Sequence, residues 1–342
     1  MNPALETLIS AFSTEEGLPV PARALFLGGQ PHPALRTWPE IIGWQPHKPL
    51  ADTWDREGFP RIDEIPPNTW PLVLILPGKS RDETLAWFAM ARRYLAPGGT
   101  ILAAMPNTAG AARFEKEFSR ATGALVSIPK NKCRAFHSKE DGSWNEALFS
   151  EWTALDDFKN IPETGFVTRA GIFSCDHIDP GSQLLADHLP AHLHGTVADL
   201  GAGWGFLTDV ALQKCPNITR IDLYEADARA LECARRNLAG WSAHGERSSV
   251  DIRYHWHDVT TGLSTTYDAI VMNPPFHTGQ ATDTGLGRTF LTNAASALKR
   301  GGRLLLVANR QLPYEGILDA CNLSWRKTAE DKTYKILHAE KR

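Results

Sequence analysis

The sequence predicts an α/β chain built from two tandem, doubly wound sheet domains. Two observations carry that expectation. Apolar strands alternate with helical patterns through the C-terminal half, the order from which right-handed crossovers build a mostly parallel sheet with helices on both faces. The N-terminal half repeats the plan in weaker form, which points to a duplication. A length of 342 residues suits two domains, each able to bury its own core.

In chain order, RALFLGGQ (Arg23 to Gln30) reads as a first strand entering a glycine turn. WPLVLILPGKS (Trp70 to Ser80) reads as a strand ending in proline, and YLAPGGTILAAMPN (Tyr94 to Asn107) as a strand behind a double glycine. The segment EWTALDDFKNIPE then loses apolar periodicity and gains charge, so the boundary is placed near Trp152 to Pro162, with domains over 1–155 and 163–342. Beyond it, TVADLGAGWGF is a short strand and glycine turn, FLTDVALQKC a helix stopped by Pro216, and ITRIDLYEAD a strand ending in acids. Asp227 is placed to cap the next helix, whose Leu231, Ala234 and Leu238 share one face. YDAIVMNPPF, a helical stretch around RTFLTNAASALKR and the strand GGRLLLVAN follow; GGRLLLVAN and the residues before it align with YLAPGGTILAAMPN, double glycine on double glycine. SWRKTAED and KTYKILHAEK read as closing strands, an antiparallel edge to the sheet.

Composition narrows the function classes. Hydrophobic content of 42% beside 22% charged residues is that of a globular soluble chain, and no apolar run is long enough for a membrane helix. The first residues lack the basic and apolar regions of a secretory signal, so a cytoplasmic location is expected. Five scattered cysteines without zinc spacing read as reduced packing thiols, and no metal is expected. A net charge of −3 argues against a broad electrostatic grip on nucleic acid while leaving room for a local patch.

The candidate chemistry gathers at strand ends, where open parallel sheets bind ligands. In DLGAGWG, Gly201, Gly203 and Gly205 allow a tight turn and close backbone approach, to a dinucleotide, to a nucleoside or simply for packing. Glu225, at the end of the second strand, is placed to accept from both hydroxyls of a ribose; the rival acid, Asp227, is assigned to capping. Asp258 could accept from an adenine amine, with Val259 packing on the ring, or serve as a turn residue. The row Asn273, Pro274, Pro275, Phe276 needs an explanation of its own. An amine on an aromatic ring is a poor nucleophile because its lone pair is delocalised. The Asn273 amide oxygen and the Pro274 carbonyl can hold such an amine with its lone pair directed at an electrophile. Pro275 stiffens the turn, and Phe276 offers a stacking face.

Together these motifs resemble those of the S-adenosylmethionine-dependent methyltransferases of the seven-stranded, Rossmann-like class, and NPPF is the form seen in enzymes acting on planar nitrogens. The resemblance covers Thr196 to about Asn309 and implies S-adenosylmethionine as cofactor, held by Asp199, Gly201, Ala202, Gly203, Gly205, Glu225, Ala226, Asp258, Val259 and Asn273. Nearly the whole chain is similar to the ribosomal RNA guanine-N2 methyltransferases of the RsmC type, through LFLGG, GIFSCDHIDPGSQLLADHL, NPPFHTG and ANRQLPYEGIL. That likeness implies two tandem seven-stranded methyltransferase domains with the first degenerate. It implies methylation of the exocyclic N2 of guanosine 1207 of 16S ribosomal RNA in the small subunit, the RNA being the partner; a duplicated chain could itself present an internal pseudo-dimer and work as a monomer. Asp179, Gly181, Ser182 and Gln183 carry over as pocket-lining positions, while Cys175 stands where the family has arginine. His277 is either a substrate contact or structural.

At the pseudo-catalytic place of the first domain the chain reads Leu76, Pro77, Gly78, Lys79, without the asparagine or the double proline, so this domain is not expected to catalyse. Its basic residues Lys79, Arg92, Arg93, Lys130, Lys132 and Arg134 are candidates for RNA phosphate contacts, the cluster KNKCR first among them. Three rivals remain open on sequence. They are a large-subunit RNA guanine methyltransferase, a protein glutamine methyltransferase, and a non-catalytic RNA-binding assembly protein. Spacing alone does not separate guanine N2 from adenine N6.

Overall fold

The computed structural model describes residues 2–13, 17–67, 69–242, 250–275, 277–278, 281–282 and 284–342; of residues 242, 277, 278, 281, 282 and 284 it describes the backbone alone. The chain divides into two compact units, Met1–Asp157 with Arg169–Gly171, and Phe158–Thr168 with Ile172–Arg342.

Unit 1 contains α1 (Pro3–Ser10), β1 (Ala24–Leu27), β2 (Ile41–Trp44), α2 (Lys48–Arg56), β3 (Trp70–Ile75), α3 (Arg81–Tyr94), β4 (Leu95–Pro106), α4 (Ala111–Thr122), β5 (Val126–Lys130), β6 (Cys133–Lys139) and α5 (Glu146–Thr153). Its sheet runs β2-β1-β3-β4-β6-β5, parallel up to β4 and antiparallel beyond.

Unit 2 opens with the hairpin β7 (Lys159–Asn160) and β8 (Val167–Thr168), followed by α6 (Pro180–Asp187). The main body follows as β9 (His194–Leu200), α7 (Phe206–Lys214), β10 (Asn217–Glu225), α8 (Ala228–Asn237), α9 (Ala239–Ser242), β11 (Asp251–Trp256) and β12 (Tyr267–Met272). After a short pair, β13 (His277–Thr278) and β14 (Ala281–Thr282), come α10 (Thr284–Ala297), β15 (Leu298–Asn309), α11 (Tyr314–Ala320), β16 (Leu323–Glu330) and β17 (Tyr334–Lys341). The sheet order is β11-β10-β9-β12-β15-β17-β16, with the last two strands forming the expected antiparallel edge.

The apolar runs become strands because helices cover both sheet faces. Along β12, Ala269 and Val271 enter one core while Ile270 and Met272 enter the other, the period-two alternation of a strand buried on both sides. Leu298 to Arg300, read from the sequence as the tail of a helix, instead begin β15. Among the described residues no helix is long and apolar enough to cross a membrane.

The two units share details beyond their topology. Gly98 and Gly301 have φ of 70° and 73°, and each marks the same register shift, between β3 and β4 in one unit and β12 and β15 in the other. At the first turn, the Gly28 N–H donates to the Trp44 carbonyl at 2.9 Å, as that of Gly201 does to Tyr224 at 2.8 Å. One strand later, the His47 N–H donates to Gln45 Oε1 at 3.1 Å, matching the Asp227 N–H on Glu225 Oε1 at 2.8 Å. The pattern survives while a carboxylate has become an amide.

Seven strands are present in unit 2, whereas the sheet of unit 1 has six among the described residues. Where β11 flanks β10, unit 1 has a single parallel bridge between Gly43 and Arg61. Pro60, Pro66 and Pro67 occupy this stretch and cannot donate to a ladder, so the strand does not extend.

The first turn of unit 1 is also closed. A Cβ on Gly28 would lie 2.4 Å from the Leu76 carbonyl oxygen and 2.9 Å from the Trp87 ring, and φ there is +70°. Gly28→Ala therefore should cost about 2 kcal/mol or more, combining left-handed strain with a backbone clash. A thermal melt should show a drop of several degrees; an unchanged melt would contradict this packing.

Candidate functional site

The carboxyl ends of β9, β10 and β12 meet where the chain order of the strands reverses, so their end residues project into one crevice. The turn after β9 holds Gly201 at φ +74° and Gly203 at +55°, and a Cβ on Gly203 would meet nothing within 4 Å. Its open side allows a ligand to lie against the backbone. Ala202 is buried, and its N–H donates to the Tyr224 carbonyl at 3.1 Å. Gly205 leads into α7, packed close to Leu238 and Ala234.

Two carboxylates stand beneath this turn. Glu225 accepts the Gly203 N–H on Oε2 and the Asp227 N–H on Oε1, both at 2.8 Å. Each oxygen keeps a further lone pair, which is what a pair of ribose hydroxyls requires. Burial raises its pKa against the lowering effect of those two amides. Asp199 is fully buried; its Oδ2 accepts from the Thr208 hydroxyl at 2.7 Å, while Oδ1 has no hydrogen-bond partner among the described residues. Burial pushes its carboxyl up to about 7, with the neighbouring Glu225 adding to the rise and Thr208 opposing it. An orphaned buried oxygen under an open glycine turn suits a cationic ligand.

Asp227 caps α8 as expected, accepting from the Arg229 N–H at 2.9 Å. The Ala226 carbonyl accepts from the Trp256 indole at 2.9 Å. Asp258 holds its own turn through Oδ1, which accepts both the Thr260 N–H and hydroxyl. The Val259 side chain is only 2% exposed and belongs to the core with Tyr224, Met272 and Phe290, so the expected packing of this side chain on a ring has no free face to use.

Asn273 follows β12, and its amide nitrogen donates to Asp179 Oδ2 and to the Ser182 hydroxyl, both at 2.8 Å. A carboxylate only accepts, so it fixes which end of the amide faces it. Both N–H groups are thereby occupied, and Oδ1 is the atom left for a ligand. Asp179 also caps α6 by accepting the Ser182 N–H at 2.8 Å. The segment expected to line the pocket thus holds Asn273 from behind. Gly181 is buried, with the Tyr334 ring 3.1 Å from where its Cβ would be; its part is close packing. Gln183 is exposed and donates to Asp187 one helical turn on at 2.8 Å. Pro274 is buried and Pro275 exposed. Phe276 lies outside the described residues, as does the side chain of His277, whose backbone belongs to β13.

Sequence reasoning missed a clasp around the glycine turn. Asn237 accepts the Val167 N–H and donates to the carbonyls of Val167 and Trp204, while the Trp204 indole donates to the Ser174 carbonyl at 3.2 Å. Partners some 70 residues apart leave no local signal; an asparagine in the last turn of a helix was the one available hint. Cys175, in the arginine position, is half-buried, and its carbonyl accepts from the Thr168 hydroxyl.

In unit 1 the KNKCR stretch is a tight hairpin, with Asn131 and Lys132 at φ of 52° and 56°. Lys130 and Lys132 are exposed, but Arg134 pairs with Glu115 at 2.7 Å, and Arg92 likewise with Glu146 at 2.6 Å. The phosphate role expected of Arg134 therefore meets a carboxylate already in place. Among the described residues no group of three or more His, Cys, Asp or Glu side chains is placed to hold a metal ion.

Residues 163–338 match the methyltransferase small domain family. The small-subunit ribosomal RNA methyltransferase C of Serratia proteamaculans is 30% identical over 246 residues, 72% of this chain and 67% of that one. Its counterpart from Psychromonas ingrahamii is 28% identical over 268 residues, 78% and 74% of the two chains. Among solved structures the chain is similar to the T. thermophilus 16S rRNA N2 G1207 methyltransferase, RsmC, in complex with AdoMet and guanosine. The TM-score is 0.80 at 24% identity, covering 100% of this chain and 92% of the other, a likeness of fold.

Asp199 gives a pH prediction. Its folded-state pKa lies above the unfolded value of about 3.9, so its stabilising contribution is complete below that pH and is lost as pH rises through about 7. Asp199→Asn should flatten the fall in melting temperature over this window, leaving the slope that the raised Glu225 contributes; identical profiles for both proteins would refute the assignment.

Proposed function

Because the chain belongs to the methyltransferase small domain family, and within it to the RsmC-type ribosomal RNA methyltransferases, we propose that it methylates the exocyclic N2 of a guanosine in 16S ribosomal RNA of the small subunit. By the family likeness the guanosine is that at position 1207, the one methylated by the T. thermophilus enzyme. S-adenosylmethionine is the cofactor, and when bound it supplies an electrophilic methyl on a sulfonium. The glycine turn and Glu225 are the residues to hold it, with Asp258 beside them and the unpartnered Asp199 oxygen supplying negative potential for a cationic donor.

The observation that carries the reading is the fixed Asn273 amide. With its N–H groups engaged by Asp179 and Ser182, Oδ1 accepts one hydrogen of the substrate amine, and the Pro274 carbonyl accepts the other. Held in this way, the nitrogen directs its lone pair out of the base plane toward the donor. The same acceptors stabilise the positive charge that develops on nitrogen, and the cationic methylated amine readily gives up its proton to water, so no basic side chain of tuned pKa is required. A base inside an RNA helix must leave its stack to reach the crevice, and Phe276, next to the prolines, is the ring assigned to receive it.

Tritiated S-adenosylmethionine incubated with 30S subunits, 50S subunits or free 16S RNA from a strain lacking the modification tests this directly. Label is expected in N2-methylguanosine from 30S subunits. Label confined to 50S subunits would assign the chain to the large-subunit RNA, and transfer to no RNA despite cofactor binding would defeat the proposal. Asn273→Ala should lower kcat by about a hundredfold or more, well beyond any effect on cofactor affinity. Asp179→Ala, which frees the amide to turn, should lower kcat by a smaller factor and leave cofactor binding intact.

A further inference from the structure

We propose that a cleft at the end of β15 holds the sugar-phosphate backbone of the RNA beside the target nucleotide; this rests on the RNA methyltransferase reading above. The cleft has a volume of about 490 Å3 and is lined by Asn309, Arg310, Gln311, Lys332 and Thr333. These residues come from the end of β15 and from the tip of the β16–β17 hairpin. The first three belong to ANRQLPYEGIL, a stretch to which the cofactor and the amine-holding site give no task.

Its position suits a flanking phosphate. Met272 pairs with Leu306 across β12 and β15, so Asn309 lies one strand to the side of Asn273 and two residues further toward the open end of the sheet. With ordinary strand spacing and rise, that is about 5 Å sideways and about 7 Å beyond. Backbone leaving a nucleotide held at Asn273 runs past this edge.

Its chemistry suits one as well. Lys332 is exposed with no ion-pair partner among the described residues. Arg310 engages Glu330 through Nε at 2.6 Å, which leaves the outer nitrogens of the guanidinium fork to donate. The acids nearby are occupied: Glu330 is flanked by Arg310 and Lys327, and Asp331 accepts the N–H groups of Thr333 and Tyr334 at 2.7 and 2.6 Å. The walls are tied together, since the Arg310 N–H donates to the Thr333 carbonyl at 2.9 Å. The same hairpin carries Tyr334, which packs on Gly181 two residues from Asp179, so the cleft and the support of Asn273 share one rigid element.

The test is the double variant Arg310→Gln/Lys332→Gln, assayed for methyl transfer to 30S subunits and for co-sedimentation with them across about 50 to 200 mM salt. KM and the sedimentation midpoint should rise roughly five- to tenfold, and the slope of log affinity against log salt should shrink by about 1.4, two phosphate contacts' worth on a single strand. Cofactor affinity and kcat should stay within about twofold. Arg310→Lys/Lys332→Arg should restore binding, and Arg253→Gln, on the outer strand β11, should change nothing. An unchanged salt slope, or a loss of kcat with KM intact, would overturn the proposal. Failure of the wild-type protein to methylate subunits would defeat the underlying reading alone, because co-sedimentation of the double variant still decides the cleft.

Discussion

A carboxamide has two ends of nearly equal shape and opposite hydrogen-bonding sense, and the site depends on which end of Asn273 faces outward. Asp179 and Ser182 settle this by taking both N–H groups. Their ability to do so depends on the rest of unit 2. Asp179 is held as the cap of α6, α6 approaches β17 closely because Gly181 leaves room for Tyr334, and Asn273 is fixed at the end of a strand buried on both faces. The chemistry at one amide oxygen thus draws on packing across the unit.

The cofactor side follows a related logic with charge. Glu225 and Asp199 are carboxylates placed where burial disfavours ionisation, and both pKa values rise. Such groups weaken the free protein and favour whatever brings compensating hydrogen-bond donors or positive charge. The asymmetry between them is informative. Glu225 meets backbone amides on both oxygens, as a positioned acceptor should, whereas one oxygen of Asp199 has no partner among the described residues.

Unit 1 preserves this backbone with the chemistry removed. Gln45 makes the same bond to the following N–H that Glu225 makes, but its other end is an amide nitrogen donating to the Gly29 carbonyl at 3.1 Å. It has no charge and no second oxygen to offer. Leu76 stands where Asn273 stands, and its carbonyl, with the Trp87 ring, closes on Gly28, while a Cβ on the matching Gly201 would stand 3.7 Å clear of the Asn273 carbonyl oxygen. Each replacement keeps the backbone satisfied, which is why the fold persists after the site is gone.

Much of this was legible along the chain. Alternating apolar strands, the glycine turn, the acid after LYE and the row NPPF placed the crevice, because strand ends and turns are written in local residue choice. The repeated double glycine was legible for the same reason and returned as matched φ angles and register shifts. The missing strand of unit 1 was readable in principle from Pro60, Pro66 and Pro67. Local residue choice along the chain was enough for the alternation of strands and helices in the second half and its weaker echo in the first, for the residues gathered at the crevice, and for the loss of the amine-holding row from the first half. Tertiary structure alone decided that Asp179 and Ser182 bond the Asn273 amide, that Val259 belongs to the core, and that Arg134 pairs with Glu115. The reason is physical: these outcomes rest on partners brought together from distant parts of the chain, 91 and 94 residues apart for Asn273, and only the folded packing selects among the acceptors and charges that a sequence leaves equally available.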